Sequence, residues 1–260
     1  MKSVASRDNA AFKAMARLVA NGSERRKSGL SVLDGAHLLG TFLDSGAKPE
    51  EVMVNRAGLE DGEIAALVDR ATPARVTLLS DALFKSISTV DSPTGVIALV
   101  RTPAAKAVAA DSPLLLLLED IQDPGNVGTL LRSAAAAGAG HVLLSAHCAF
   151  AWSPKVLRSA MGAHFALNIV EGADLGSFLG RYRGNSVALD ARAGTSLYEL
   201  DLSGPTAFLV GNEGAGLSAA LSRGAKSRAR IPMPGRVESL NAATAGSICL
   251  FEALRQRSRK

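Results

Sequence analysis

Apolar positions divide the chain into two stretches of alternating strand and helix, separated by a short Ala- and Pro-rich segment. In residues 9–20, Phe12, Met15, Leu18 and Val19 recur at helical spacing and predict a helix with one buried face. Residues 25–28 read as a polar turn. Short apolar runs at 30–33, 52–55, 76–79 and 96–100 predict strands, and helical stretches fall at 35–43, 64–69 and 82–87. Thr102 to Pro113 has no amphipathic period and reads as a linker. The second stretch opens with five leucines, Leu114–Leu118, whose lack of alternation suits a strand buried on both faces of a parallel sheet. Helices are predicted at 126–137 (with Gly138 as a C-cap), 155–161, 177–181 and 241–255, and strands at 142–144, 167–170, 186–189 and 207–210. The pattern predicts an α/β protein with an N-terminal unit at 1–101, a linker at 102–113, and a mostly parallel-sheet unit at 114–260.

Composition narrows this picture. Apolar residues make up 47% of the chain but aromatics only 4%, so Leu, Val, Ile and Ala must build the core, which disfavours an all-β sandwich. The net charge of +5 suits a polyanionic partner. Basic residues cluster at Arg25, Arg26 and Lys27, at Arg223, Lys226, Arg228 and Arg230, and at Arg255, Arg257, Arg259 and Lys260. A solvated helix face or a tail would explain the first and the last of these equally well. The two cysteines, Cys148 and Cys249, form no CxxC pair, so neither a disulfide framework nor a metal site is expected. The N-terminus carries no apolar leader, and the run Leu114–Leu118 is too short to cross a bilayer. A cytoplasmic protein with no membrane partner is expected.

Three loops carry candidate chemistry. The first, from Glu119 to Arg132, joins the leucine strand to a helix. Asn126 is placed to cap that helix, and Gly128 allows a close backbone approach. Arg132 adds a guanidinium near a helix N-terminus, a combination that suits an anion. An ordinary capped helix with a surface arginine would look the same. The second loop, Leu209 to Leu217, holds three glycines after an apolar strand. Its GxxGxG spacing is not the GxGxxG of a dinucleotide crossover, and Glu213 inside it would spoil a pyrophosphate site. The third, Ile231 to Ala245, runs through a Pro/Gly turn into a small-residue helix that Ser239 or Asn241 can cap.

In order and spacing, the three loops resemble the three sequence motifs of the SpoU/TrmH family of RNA methyltransferases, part of the SPOUT superfamily. The first carries the family's NxGxxxR as Asn126, Gly128 and Arg132. The second carries GNEGxGL as Gly211, Asn212, Glu213, Gly214, Gly216 and Leu217. The third carries IPM…SLN as Ile231, Pro232, Met233, Ser239, Leu240 and Asn241. Ser153-Pro154-Lys155 and the run from Arg158 to Ala163 look like the family's PK…R.S.GA segment. The resemblance covers about 112–260. It also touches the first unit, where Asp34-Gly35 stands where relatives commonly show Glu-Gly, and Pro93, Gly95 and Val96 look like the end of their RNA-binding domain. The Asp-for-Glu departure leaves the role of Asp34 open.

The resemblance implies a small N-terminal α/β RNA-binding domain and a C-terminal parallel-sheet domain whose chain threads into a deep trefoil knot. It implies S-adenosyl-L-methionine as cofactor, held largely by backbone groups of Leu209, Gly211, Ile231, Met233, Leu240 and Ala242, with Asn212 and Gly216 beside them. It implies a homodimer that methylates a ribose 2′-hydroxyl of structured RNA, ribosomal or transfer RNA, with ribosomal RNA favoured. Arg132 would be the central catalytic group, oriented with the hydroxyl and cofactor by Asn126, Glu213, Ser239 and Asn241. RNA would be met by Arg25, Arg26, Lys27, Lys155 and Arg158. The four histidines, His37, His141, His147 and His164, lie outside the motifs and read as structural. Three alternatives stay open: a nucleotide- or NAD-binding enzyme, a non-catalytic RNA-binding protein of the same fold, and methyl transfer to a base atom.

Overall fold

The computed structural model describes residues 1–258; Arg259 and Lys260 of the last basic cluster lie outside the described residues. The elements run β1 (Lys2–Val4), α1 (Ala10–Ala20), α2 (Gly22–Ser28), β2 (Leu30–Asp34), α3 (Ala36–Asp44), β3 (Glu51–Val54), α4 (Arg56–Glu60), α5 (Gly62–Arg70), β4 (Arg75–Leu79), α6 (Asp81–Ile87) and β5 (Val96–Arg101). They continue β6 (Leu114–Leu118), α7 (Pro124–Ala136), β7 (His141–Leu144), α8 (Pro154–Ala160), β8 (Asn168–Val170), α9 (Leu175–Arg181), β9 (Asn185–Leu189), β10 (Thr206–Val210), α10 (Ala219–Gly224), β11 (Ser227–Ala229) and α11 (Ala242–Arg257). Two compact units result: residues 1–104 with 152–165, and residues 105–151 with 166–260. No helix among the described residues is long and apolar enough to cross a membrane.

The first unit is built on a mixed five-stranded sheet in the order β1-β4-β3-β5-β2. Phe12, Met15 and Leu18, the apolar stripe of α1, pack with Val32, Met53, Phe84 and Ile97. The polar turn expected at 25–28 is instead the end of helix α2. Asn21 starts it by accepting hydrogen bonds from the amides of Ser23 and Glu24, and Gly29, at φ +64°, ends it. A seven-residue helix specified by its caps leaves no apolar period to read. The segment 152–165 groups with this unit although it follows β7 in sequence. An aromatic contact attaches it: Phe165 meets the edge of Phe42 from α3 at 5.2 Å between ring centroids, with Trp152 and His164 packed beside it, their rings tilted 54° at 4.9 Å.

The second unit holds a six-stranded, all-parallel sheet in the order β11-β9-β10-β6-β7-β8. The leucines of β6 are buried on both faces, each contributing about 1.5–3 kcal/mol of transfer free energy. Residues 102–113 carry no helix or strand, yet Val108 joins the core formed by Leu115, Leu117, Phe178 and Leu209. Asn168 pins Lys106 through both its amide and its carbonyl. Helix α11 lies against α7 and β10. Gly246 makes that approach possible, because a Cβ there would lie 2.4 Å from Leu130 Cδ2.

Candidate active site

All three motif loops belong to the second unit and leave the sheet after β6, β10 and β11. In the first, Asp123 rather than Asn126 caps α7, its carboxylate accepting from the Asn126 amide at 2.9 Å. Pro124 then occupies the first turn, where its missing N–H costs nothing. The expectation that Asn126 is the cap is therefore corrected. From inside the first turn its side chain instead reaches sideways. Asn126 Nδ2 donates to Glu213 Oε1 at 2.9 Å, and Asn126 Oδ1 accepts from Asn241 Nδ2 at 2.9 Å. Asn241 Oδ1 in turn caps α11, accepting from the amides of Ala243 and Thr244. One hydrogen-bonded chain, Glu213–Asn126–Asn241, thus ties one residue of each motif together.

Glu213 also accepts from the backbone amides of Gln122 at 3.3 Å and Asp123 at 3.2 Å. Partial burial pushes its carboxyl up, but hydrogen bonds from Asn126 and from the amides of Glu213, Asp123 and Gln122 outweigh that and hold it below the usual carboxylate range. The glycine loop folds on itself: Asn212 Oδ1 accepts from the amides of Gly214 and Ala215, and Asn212 Nδ2 donates to the Asp120 carbonyl. Gly211 has no room for a side chain, since a Cβ would lie 2.2 Å from backbone atoms of Gly216 and Leu217.

A cavity of about 860 Å³ opens beside these loops. Of the residues singled out in the sequence, Gly211, Asn212, Glu213 and Gly216 line it from the second loop, and Ile231, Met233, Ser239, Leu240 and Ala242 from the third. Leu209 does not: it is fully buried in the core, and Val210 forms the wall. Asn126, Asn241 and Arg132 also lie outside the wall. Arg132 is exposed, and its guanidinium makes no hydrogen bond or ion pair among the described residues. The sequence reading missed Asp190, Arg192, Arg228 and Arg230, which line the same cavity from the ends of β9 and β11. Only the charge cluster around Arg228 hinted at them. The wall suits a zwitterionic, adenosine-sized ligand such as S-adenosylmethionine: its volume falls in the usual small-ligand range, tight glycine backbone and aliphatic side chains offer contact, and carboxylates and guanidiniums are both present. No cluster of His, Cys, Asp and Glu suited to a metal ion occurs among the described residues.

The predicted RNA-binding residues divide. Arg25 is corrected: it is buried, and its guanidinium donates to the Leu18 and Val19 carbonyls at the end of α1. Arg26, Lys27 and Lys155 are exposed. Arg158 is half-buried and donates to Thr89 Oγ1 at 2.6 Å. The single Thr89 hydroxyl hydrogen goes to Asp34 Oδ2 at 2.8 Å, and the same oxygen accepts from the Thr89 amide and Ser88 Oγ. Asp34 thereby orients Arg158 through Thr89. Other clustered cations are tied to the protein itself: Arg230 to the Ala193 and Gly194 carbonyls, Arg255 to Glu252, and Arg257 to the Leu202, Pro113 and Gly204 carbonyls. His164 is buried, while His141 holds Asn168 through Nδ1.

Comparison with known proteins points to one family. The model of the SpoU rRNA Methylase family matches residues 113–251, and that of the MRM3-like substrate binding domain matches residues 9–98. The 23S rRNA (guanosine(2553)-2′-O)-methyltransferase RlmP of Bacillus subtilis is 32% identical over 88% of this chain and 90% of its own. A solved RNA 2′-O ribose methyltransferase is 31% identical with a TM-score of 0.84, covering 98% of this chain and 99% of its own. The AdoMet-bound rRNA methyltransferase of Sinorhizobium meliloti is 30% identical with a TM-score of 0.84, covering 98% and 97%.

Proposed function

This chain belongs to the SpoU rRNA methylase family, and from that premise we propose the roles its residues take in transferring a methyl group from S-adenosylmethionine to a ribose 2′-hydroxyl of ribosomal RNA. The observation that carries the reading is the Glu213–Asn126–Asn241 chain, which fixes the three motif loops against one another beside a cavity of suitable size.

The cofactor, when bound, supplies an electrophilic methyl group on a sulfonium. Gly211, Asn212 and Gly216, with Ile231, Met233, Leu240 and Ala242, hold it in the cavity, and the Asp190 and Glu213 carboxylates favour its cationic groups. The residues' remaining task is to orient an oxygen nucleophile, and orientation alone supplies much of such a barrier. Arg132 fits this task because its guanidinium is exposed and unspent. A guanidinium stays protonated, so Arg132 acts by holding the RNA phosphate and stabilising negative charge as the hydroxyl loses its proton. Ser239, exposed on the cavity wall, orients the hydroxyl. Asn126, Glu213 and Asn241 are positioning residues.

The first unit binds the RNA, through Arg26, Lys27, Lys155 and Arg158. The reading includes a homodimer and a trefoil knot in the C-terminal half. Support for the knot is the match of residues 113–251 to the SpoU rRNA Methylase family, and support for the dimer is Phe251, left 47% exposed on α11. The test is methyl transfer from radiolabelled S-adenosylmethionine to ribosomal RNA from a strain lacking this gene, followed by nucleoside chromatography. Label in a 2′-O-methyl nucleoside supports the reading. Label in a base, or none in any RNA fraction or assembly intermediate, overturns it.

A further inference from the structure

The second unit holds another cavity, of about 660 Å³. Four cationic side chains line it, Arg192, Arg223, Lys226 and Arg228, and no Asp or Glu does. Two of them are anchored. Lys226 Nζ donates to the carbonyls of Arg183 at 2.8 Å and Gly184 at 2.7 Å, and Arg228 pairs with Asp190 at 2.5 Å. The other two, Arg192 and Arg223, are exposed, and neither guanidinium makes a hydrogen bond or ion pair among the described residues, though the charge of Arg192 also acts on Asp190. Arg192, Ser222 and Arg228 line the cofactor cavity as well, so the two cavities share a wall.

Anchored cations beside two exposed guanidiniums form a clamp for phosphate oxygens, which a guanidinium fork matches bidentately and a lysine meets as a point charge. No aromatic side chain lines the cavity, so it offers a base no ring to stack on. Such a site fixes the register of a nucleic-acid backbone without reading its sequence. We propose that this cavity takes a backbone phosphate of the substrate RNA, close to the nucleotide being methylated. The proposal rests on the RNA methyltransferase reading. It gives the basic cluster at 223–230, which the three motifs leave unused, a role in holding substrate.

The experiment measures RNA affinity against KCl concentration for the parent protein, Arg223→Ala and Arg223→Lys, with Arg56→Ala as a control that removes an exposed charge from the first unit. Losing one phosphate contact lowers the slope of log K against log salt by about 0.7–0.9. Arg223→Ala is expected to show that drop and a rise in KM for RNA of about tenfold at low salt, with the cofactor Kd unchanged. Arg223→Lys keeps the slope, as does Arg56→Ala. A parental slope in Arg223→Ala, an equal drop in Arg56→Ala, or weakened binding of inorganic phosphate with no change towards RNA overturns the clamp. A parent protein that methylates RNA while Arg223→Ala keeps its slope sinks the clamp alone. A parent that neither binds nor methylates RNA sinks the enzyme reading with it.

Discussion

Asn126→Asp is a sharp test of how the three motif loops are held together. The substitution keeps the side-chain shape and the acceptor used by Asn241, but turns the donor facing Glu213 into a carboxylate oxygen at a 2.9 Å contact. Two losses follow. A hydrogen bond to a charged acceptor disappears, worth about 1.5 kcal/mol at the weak end because Glu213 is exposed. Two carboxylates then stand about 4 Å apart, repelling by about 1 kcal/mol in water and about 4 kcal/mol at an effective dielectric near 20. Glu213 faces solvent, so the lower end applies, and the total is roughly 2–3 kcal/mol. Urea unfolding at neutral pH measures it.

The pH dependence gives a second reading. In the parent, the Glu213 carboxyl is held below its ordinary value, so its contribution is present above that ordinary value and is lost as pH falls through the folded one. In Asn126→Asp the facing charges raise one carboxyl instead, so the deficit is full at neutral pH and shrinks as pH falls through that raised value. Adding Glu213→Gln restores an amide–carboxylate pair with inverted polarity, and should recover about 1 kcal/mol or more in a double-mutant cycle. A variant within about 0.5 kcal/mol of the parent, or an equal deficit at acid and neutral pH, refutes the proposed coupling.

Three further outcomes are expected. Arg132→Ala should fold normally and bind cofactor within about twofold of the parent, yet lose about 100- to 1000-fold in methyl transfer, as single-turnover assays and calorimetry would show. Gly211→Ala forces a Cβ onto the Gly216–Leu217 backbone, so it should cost about 1–3 kcal/mol in stability and weaken cofactor binding at least about tenfold by titration. Arg25→Ala should destabilise the protein by about 1–3 kcal/mol through the freed Leu18 and Val19 carbonyls while leaving the salt dependence of RNA binding unchanged; a reduced slope would return Arg25 to the RNA surface.

Arg25 and Arg26 show where sequence reading stops. Side by side in one charge run, one turns its guanidinium onto the last carbonyls of α1 and the other stays exposed. Composition treats them alike, because the distinction depends on orphan carbonyls supplied by a neighbouring helix. Long apolar patterns were legible: the helix expected at 126–137 is Pro124–Ala136, and that at 241–255 is Ala242–Arg257. Helices α2, α4 and α10 were not, since Asn21, Asn55 and Ser218 specify them by capping without an apolar stripe. Strand β11, Ser-Arg-Ala at the sheet edge, carries no strand signal at all. In the site, motif resemblance pointed to residues of the second and third loops that line one cavity, but Asn126 looked like a cap and is instead the link between loops.

The grouping of residues 152–165 with the first unit has a consequence that one side chain reports. The stretch lies inside the span matched by the methylase model, 113–251, yet Trp152, His164 and Phe165 form one aromatic cluster with Phe42 of α3. Trp152 is the chain's single tryptophan and is 3% exposed, so its fluorescence reads that cluster alone. Arg158, from the same stretch, donates to Thr89, whose hydroxyl donates to Asp34, so a second, polar attachment ties α8 to the same unit. A fragment beginning at residue 105 retains every strand of the parallel sheet but loses Phe42, Thr89 and Asp34 together. The indole should then meet water, and its emission should shift to the red, while the full chain emits in the blue. Phe42→Ala in the full chain leaves Asp34 and Thr89 in place and should shift the emission by less, at a cost of about 3–5 kcal/mol. An unshifted fragment spectrum would mean that residues 152–165 find their burial within 105–260, and that the first unit does not hold them.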